Sequence, residues 1–313
     1  FAPVLITIPT LGTARTFHLF GGLLLAASIL GLLARRARSR ALLACLAMIV
    51  LVLLATLLPL RVVKADDRMI YETESRYNYI QVLEVDETRY LMLNEGQAVH
   101  SMYNPNSLAT YGTWDVLTIA PFFNAPPFAS GRVRRVCIVG LAGGTIARQA
   151  TAIYGPIPID GIEIDPKIVE VGVDFFAMDQ PNLSVHTTDG RFFLEHTDQR
   201  YDLVVIDAYR LPYIPFQLAT TESFGLVRAR LTPQGVVAVN VGRTESDYRM
   251  VEAIAATLGE HFATVHAIDL EGTFNTVLVA TQQVTHPVLL VHPVAAPERV
   301  PVQENVLQHV PSV

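Results

Sequence analysis

The second half of the sequence alternates short apolar runs with helical patterns, and this alternation strongly constrains the fold. Seven apolar runs are predicted to be strands, at residues 135–139, 157–162, 183–187, 203–206, 236–240, 264–268 and 276–280. These runs lack the period-two alternation of a half-buried strand, and helical patterns fill most of the gaps between them. Such strands are typical of parallel sheets that helices cover on both faces. The sequence therefore predicts a doubly wound α/β sheet.

Two charge-free apolar runs precede this region, at residues 17–34 and 41–60. About 20 apolar residues are enough to cross the core of a bilayer. A core helix of a soluble protein normally keeps a polar face, and a signal peptide has a single apolar run and a small-residue cleavage site. The two runs are therefore predicted to form a transmembrane hairpin. The apolar segment 1–16 is interpreted as the end of an upstream membrane segment.

Changes in composition divide the rest of the chain into domains. Residues 61–123 are predicted to be a connector and a small antiparallel β domain, because "YIQVLEV", "RYLMLNE" and "GQAVHSMY" read as strands around a turn at "DET". A helix is expected in the second half of "NPNSLATYGTWDVLTIAPFF". The proline- and glycine-rich stretch "NAPPFASG" opens the sheet domain, residues 124–282. Residues 283–313 are predicted to be a proline-rich tail.

Charge and cysteine content exclude several classes of function. The net charge is −6, with 23 basic and 29 acidic residues, which predicts no nucleic-acid partner. Cys45 and Cys137 both lie in apolar runs, so neither a disulfide nor a metal site is expected.

Polar and glycine residues follow the predicted strands, where a doubly wound sheet binds its ligands. In chain order the candidates are Gly140, Gly143, Gly144, Glu163, Asp189, Gly190 and Asp207. The glycines match neither the dinucleotide pattern G-x-G-x-x-G nor a phosphate-binding loop with its lysine. The combination therefore favours a nucleoside thioether such as S-adenosylmethionine over a nucleotide.

Each carboxylate also has a structural interpretation. Glu163 could accept hydrogen bonds from ribose hydroxyls or be a solvated residue at a strand end. Asp189 could accept from an adenine amino group or cap the following helix. Asp207 could be a general base, a partner for a cation, or a turn residue.

Several segments resemble the spermidine synthases, a family of aminopropyltransferases, over roughly residues 72 to 282. The segments are "ESRYNYIQV", "LMLNEGQAV", "VCIVGLAGGT", "GIEIDP", "TTDG" and "YDLVVIDAY". The continuation "DAYRLPYIPFQLATTESFGLVRARLTPQGVVAVN" is similar to the membrane-fused bacterial branch. The resemblance implies a methyltransferase-like Rossmann fold and decarboxylated S-adenosylmethionine as donor. It also implies that Asp207 deprotonates and orients the acceptor amine, with Gln97 near the family's glutamine.

Three departures from the family pattern affect the polyamine half of the site. Gly143 replaces the aspartate that holds the donor's amino group, and Arg210 replaces the second acid of a D-x-x-D loop. The amine-binding D-E-x-x-Y-H-E segment has no clear match. Gly143 could accommodate ordinary S-adenosylmethionine, and Arg210 could pair with an acidic substrate. Tyr77 and Tyr209 are further candidates for substrate recognition, although aromatic residues more often serve packing.

Two main functions stay open at this point: a membrane-anchored transferase using an S-adenosyl donor, and a catalytically silent accessory subunit of a membrane complex. A transporter fragment with a sensory domain is a third. The protein is expected to be integral to the cell membrane, either as a homodimer or with other membrane subunits.

The loop "RRARSR" and the opposite side carry four basic residues each, so charge does not orient the hairpin. The cytosolic origin of S-adenosyl donors favours a cytosolic domain.

Overall fold

The structure is a computed structural model that describes residues 3–34, 38–57, 66–94, 98–209, 214–270 and 272–285. The chain divides into two units. The first consists of Phe1–Glu84 with Leu93–Gly96, and the second of Val85–Met92 with Gln97–Val313. The proline-rich tail predicted from residue 283 lies outside the described residues from residue 286 onward.

The first unit begins with helices. A π-helical turn, Pro3–Thr7, is followed by α1 (Ile8–Leu11), α2 (Thr13–Ala34) and α3 (Arg38–Leu57). Within α2, Arg15–Ala34 is long and apolar enough to cross a membrane, and among the described residues no other helix is. The apolar stretch of α3, Leu42–Leu53, is shorter. The end of the second predicted run, residues 58–60, lies outside the described part.

The strands that precede the large sheet are antiparallel, as predicted. They are β1 (Met69–Glu74), β2 (Tyr79–Val85), β3 (Thr88–Leu93) and β4 (Val99–Tyr103). In the first unit β1 pairs with β2, and in the second unit β3 pairs with β4. The predicted helix follows as α4 (Thr113–Ile119), which continues into a 3₁₀ turn at Ala120–Phe123.

The second unit is built around a seven-stranded sheet, and every predicted strand is present in it. In chain order its elements are β5 (Val136–Val139), α5 (Thr145–Tyr154), β6 (Ile159–Glu163), α6 (Pro166–Phe176), β7 (Leu183–Thr187), α7 (Gly190–His196), β8 (Tyr201–Ile206), α8 (Thr221–Ala229), β9 (Leu231–Gly242), α9 (Arg249–Gly259), β10 (Thr264–Asp269) and β11 (Asn275–Thr281). The strand order is β10-β11-β9-β8-β5-β6-β7. Asp165 caps α6 by accepting a hydrogen bond from the amide of Lys167, 3.0 Å away.

The parallel pairing that the apolar runs indicate holds for five of the seven strands, whereas β11 pairs antiparallel with its two neighbours. The strands from β7 to β9 are parallel, whereas β11 runs antiparallel to both β9 and β10. Only a few residues connect β10 to β11, and a connection this short can join only antiparallel neighbours. The sheet is therefore mixed.

The central strand β5 is buried on both faces, which explains its uninterrupted apolar sequence. Val136 and Ile138 pack on one side with residues of α4 and α5, whereas Cys137 and Val139 pack on the other with residues of α7, α8 and α9. All four side chains of the strand are at most 2 % exposed. Polar side chains that could serve chemistry are therefore restricted to positions beyond its ends.

One buried carboxylate links strands β6, β7 and β8 with the residue that precedes β5. Asp160 on β6 is 4 % exposed and accepts from Arg135 Nε at 3.0 Å and from the Tyr201 hydroxyl at 3.1 Å. It also bonds His186 Nε2 at 2.9 Å. Its charge is compensated where it lies, so it holds the sheet in register.

Candidate functional site

The predicted site residues meet at the carboxyl edge of the parallel strands. The chain builds β6 and β7 on one side of β5 and β8 and β9 on the other. Open α/β sheets bind ligands at such a reversal of strand order. The glycine turn follows β5, Glu163 ends β6, Asp189 follows β7 and Asp207 follows β8.

The glycine turn lies directly against the backbone of Asp207. Gly140 has φ +90°, and a Cβ atom there would lie 2.6 Å from both the carbonyl carbon and the carbonyl oxygen of Asp207. Gly144, with φ +84°, is the N-cap of α5, and Ala142 also has a positive φ of +49°. Only a residue without Cβ fits at Gly140, because the neighbouring atoms are backbone and cannot move aside.

Glu163 forms hydrogen bonds with the backbone of this turn and of the residues that follow β6. Its Oε2 accepts from the amide of Ala142 and its Oε1 from the amide of Asp165, each at 3.0 Å. The residue is 7 % exposed, and burial raises the pKa of its carboxyl although the backbone hydrogen bonds oppose this. A carboxylate has about four lone-pair sites, so Glu163 can still accept from a hydroxyl group.

Asp189 caps α7, as one of its two interpretations predicts. Its Oδ1 accepts from the amide of Phe192 at 3.0 Å, and its Oδ2 lies 3.4 Å from Gln217 Nε2. The neighbouring Gly190 packs against Val139, and a side chain at Gly190 would overlap Val139 Cγ1. Gly190 therefore allows α7 to approach the central strand.

Asp207 has the most distinctive environment at this edge. Trp114 Nε1 donates to its Oδ2 at 3.0 Å, and Asn240 Nδ2 donates to its Oδ1 at 2.8 Å. The residue keeps some exposed surface, but its carboxylate is surrounded by protein atoms. Burial raises the pKa of Asp207 to about 6, against the effect of the bonds from Asn240 and Trp114. A carboxylate with a pKa near neutrality is suited to accept a proton.

The space beside Gly143 is already filled. Its amide donates to Ser101 Oγ at 2.8 Å, and a Cβ atom at Gly143 would lie 3.0 Å from Phe176 Cγ and from Ser101 Cβ. A carboxylate side chain at this position would displace one of these neighbours. The absence of an acid at Gly143 is thus matched by the packing around it.

The remaining candidates are placed differently. Tyr209 is half-buried with its hydroxyl against Gly242, and burial raises its pKa to about 12. Tyr77 belongs to the first unit and is 43 % exposed. Gln97 and Arg210 lie outside the described residues.

Sequence reasoning missed three residues that the structure brings to this edge: Trp114, Asn240 and Ser101. Asn240 could have been found, because it is a polar residue within the apolar run "VVAVNV". Trp114 is the only tryptophan of the chain, and no spacing links it to Asp207, which is 93 residues away.

A surface depression elsewhere carries no comparable chemistry. It has a volume of about 480 Å³ and is lined by Phe128, Arg132, Asp202, Thr232, Pro233, Gln234 and Gln283. Its carboxylate, Asp202, already accepts from the amides of Arg134 and Arg135 and from the Thr232 hydroxyl. The carboxyl edge of the sheet is therefore the stronger candidate site.

Comparison with known proteins identifies a domain that contains most of this site. Residues 122–269 match the family model described as the spermine/spermidine synthase domain. The chain is 32 % identical over 219 residues to a probable polyamine aminopropyl transferase of Bifidobacterium longum, covering 69 % of this chain and 47 % of that protein. It is 30 % identical over 190 residues to a polyamine aminopropyltransferase of Vibrio vulnificus, covering 58 % and 61 %. The chain thus spans about half to three fifths of the length of these relatives.

A solved structure supports the fold. A probable spermidine synthase from Corynebacterium glutamicum superposes with a TM-score of 0.60 at 19 % identity, over 69 % of this chain and 81 % of that chain. The expected methyltransferase-like Rossmann fold, with an antiparallel sheet before it, is confirmed.

The contact between Gly140 and Asp207 predicts the effect of adding a single methyl group. Gly140→Ala combines a left-handed backbone with overlap onto the Asp207 backbone. We expect it to lower the free energy of unfolding by about 3 kcal/mol or more. The measurement is urea denaturation of the protein in detergent, followed by circular dichroism.

Gly155→Ala is the matched control, because Gly155 has φ +83° but nothing within 4 Å of a Cβ atom. It carries backbone strain without the overlap, so we expect a loss of about 1–3 kcal/mol, smaller than the loss in Gly140→Ala. Equal losses in the two variants would contradict the close approach at Gly140.

Proposed function

Because this chain carries a spermine/spermidine synthase domain over residues 122–269, we propose that it binds an S-adenosyl-type nucleoside and transfers its aminopropyl group to an amine. The observation that carries this proposal is the buried Asp207 carboxylate, which lies between two hydrogen-bond donors on a residue whose backbone packs against the glycine turn. Decarboxylated S-adenosylmethionine is the proposed donor, because the two curated relatives are named as aminopropyltransferases.

The nucleoside half of the proposed site needs no further residues. The turn at Gly140 packs directly on the backbone of Asp207, which brings the turn and Asp207 to the same part of the carboxyl edge. Glu163, held beside that turn by the amides of Ala142 and Asp165, supplies acceptors for the ribose hydroxyls. Such charge-assisted bonds are stronger than neutral ones.

The proposed reaction is a nucleophilic substitution at the aminopropyl carbon. The nitrogen lone pair of a neutral amine forms the new C–N bond, while the C–S bond breaks and its electrons remain on sulfur as a neutral thioether. The proton lost by the nitrogen passes to Asp207. An amine has a pKa near 10 and is mostly protonated at neutral pH, so a carboxylate that orients and deprotonates it assists the attack.

Binding of the thioether product tests the nucleoside half alone. We expect methylthioadenosine to bind the wild-type protein, and Glu163→Ala to weaken binding by about tenfold to a hundredfold for each bond lost to the carboxylate. Isothermal titration calorimetry measures the affinity. Glu170→Ala is the control, because Glu170 is an exposed glutamate on α6 whose loss should leave the affinity unchanged. Equal affinity in the Glu163 variant would remove Glu163 from the site.

Transfer itself is tested with decarboxylated S-adenosylmethionine and a panel of amines, with mass spectrometry of the products. We expect putrescine to react well below about one turnover per second, because Gly143 and Arg210 stand where the resemblance implies carboxylates. Asp207→Asn should lower any transfer by about a hundredfold or more. The base must be ionised, so the rate should rise as the pH increases through about 6. Fast spermidine synthesis would contradict this interpretation of the polyamine half.

A catalytically silent accessory role is the second candidate, and the packing at Gly143 favours it. Ser101 and Phe176 occupy the space in which a carboxylate for the donor's ammonium would lie. Binding of methylthioadenosine without formation of any product from the amine panel would support this role.

We also propose that the protein is anchored in the cell membrane by a hairpin of α2 and α3, with the sheet domain in the cytosol. The apolar segment Arg15–Ala34 and the charge-free run of residues 41–60 support the anchor. The cytosolic origin of S-adenosyl donors supports the orientation. Partner subunits or a second copy of the chain would pack against these helices.

Carbonate extraction tests the anchor. Alkaline carbonate strips peripheral proteins, but it leaves segments of about 20 apolar residues in the bilayer. We expect the full chain to stay in the membrane pellet, whereas a variant that lacks residues 1–60 should be released. Release of the full chain into the soluble fraction would contradict the proposal.

A further inference from the structure

Two neutral groups hold the carboxylate of Asp207, one on each oxygen. The indole of Trp114, on α4, donates to Oδ2, and the amide of Asn240, on β9, donates to Oδ1. The carboxylate itself follows β8. Because three different elements supply the three groups, the plane of the carboxylate is fixed relative to the sheet.

A third side chain determines which end of the Asn240 amide faces Asp207. Asn275 Nδ2 donates to Asn240 Oδ1 at 2.9 Å, which leaves the nitrogen of Asn240 pointing to the carboxylate. An amide can otherwise turn by 180° and present its oxygen instead. Asn275 begins β11 and is paired with Gly242 in β9, so its position is set by the sheet. Asn240 is only 8 % exposed.

The charge of Asp207 stays uncompensated among the described residues. No described Lys, Arg or His forms an ion pair with it, and no neighbouring charge contributes to the shift of its pKa. Hydrogen bonds from neutral donors leave the net negative charge of a carboxylate unchanged, whereas an ion pair with a cation would neutralise it. Each oxygen also keeps a second lone pair that can receive a proton or an N–H group.

We propose that Trp114 and Asn240, with Asn275 behind it, are positioning residues that orient the Asp207 carboxylate toward a cationic amine acceptor. The assignment of the acceptor rests on the proposed function, whereas the hydrogen-bonded arrangement stands independently of it. The three residues stabilise the ionised carboxylate and fix its orientation without neutralising its negative charge.

The arrangement supplies its own probe, because Trp114 is the only tryptophan among the 313 residues. Its indole N–H bonds Asp207 directly, so ionisation of the carboxylate should change the fluorescence emission. The experiment is a fluorescence titration of the full-length protein in detergent between pH 4.5 and 8, without substrate. We expect a transition with a midpoint near pH 6 that is absent in Asp207→Asn.

Removing one donor should move this midpoint in a defined direction. Asn240→Leu removes a hydrogen bond that stabilises the ionised form of Asp207, so the pKa of Asp207 should rise. The midpoint of the transition should therefore move up by about one to two pH units. Asn275→Ala should cause a smaller upward shift, since the Asn240 amide can then turn. Gln217→Leu is the control, because Gln217 contacts Asp189 rather than Asp207 and should leave the midpoint unchanged.

Either of two results would overturn the proposal: a transition that persists in Asp207→Asn, or an unchanged midpoint in both the Asn240 and the Asn275 variants. Thermal melting identifies a variant that does not fold, and the milder Asn275→Ala then carries the test. Failure of amine transfer would leave the titration intact, so the two proposals fail separately.

Where transfer is observed, the acid limb of the kcat/KM profile should move with the fluorescence midpoint. A merely structural role of Asn240 would lower the rate at every pH and leave the limb in place.

Discussion

Burial of the central strands on both faces is the constraint on which the rest of the second unit depends. Val136 to Val139 alternate between two apolar layers, so neither face of this strand can carry a polar group without a partner. Asp160, a carboxylate near the amino end of the neighbouring strand β6, is compensated by Arg135, Tyr201 and His186. Groups that remain available for chemistry are found where the strands end.

The carboxyl edge combines tight backbone packing with carboxylates that are costly to bury. Gly140 rests on the backbone of Asp207, which brings the turn after β5 next to the end of β8. Burial raises the pKa of both Glu163 and Asp207, so each ionised form is sustained by hydrogen bonds. Backbone amides serve Glu163, while side chains from other elements serve Asp207. This difference suits a binding carboxylate in one case and a proton acceptor in the other.

Likeness to the polyamine aminopropyltransferases and departure from their pattern occur at different parts of this edge. The turn, Glu163 and Asp207 lie together at the carboxyl edge of the sheet, and the resemblance predicts a donor site there. At Gly143 the chain lacks an acid, and Ser101 and Phe176 have taken up the space. The packing of Ser101 and Phe176 therefore fits a glycine at this position and leaves no space for an acidic side chain. The proposed site therefore differs from the pattern that the resemblance implies where the donor's amino group would lie.

The sequence by itself determined which elements form and where the strand-end residues lie. Apolar runs without alternation predicted all seven strands of the sheet, and the order of Gly140, Glu163, Asp189 and Asp207 placed them on one edge. These inferences succeed because burial follows from the local pattern of apolar residues, and a helix between two strands allows them to pair in parallel. The antiparallel direction of β11 was missed, since pairing depends on which neighbour a strand meets.

Only the tertiary structure decided what surrounds Asp207. Trp114 and Asn240 bond Asp207 directly, although they are 93 and 33 residues away from it in the chain. Asn275 bonds Asn240 across 35 residues. No spacing rule in the sequence connects these residues. Hydrogen bonds of this kind depend on distances of about 3 Å between separate elements. Such distances are set when α4, β8, β9 and β11 pack together, which is why the partners of the carboxylate could not be predicted from the sequence.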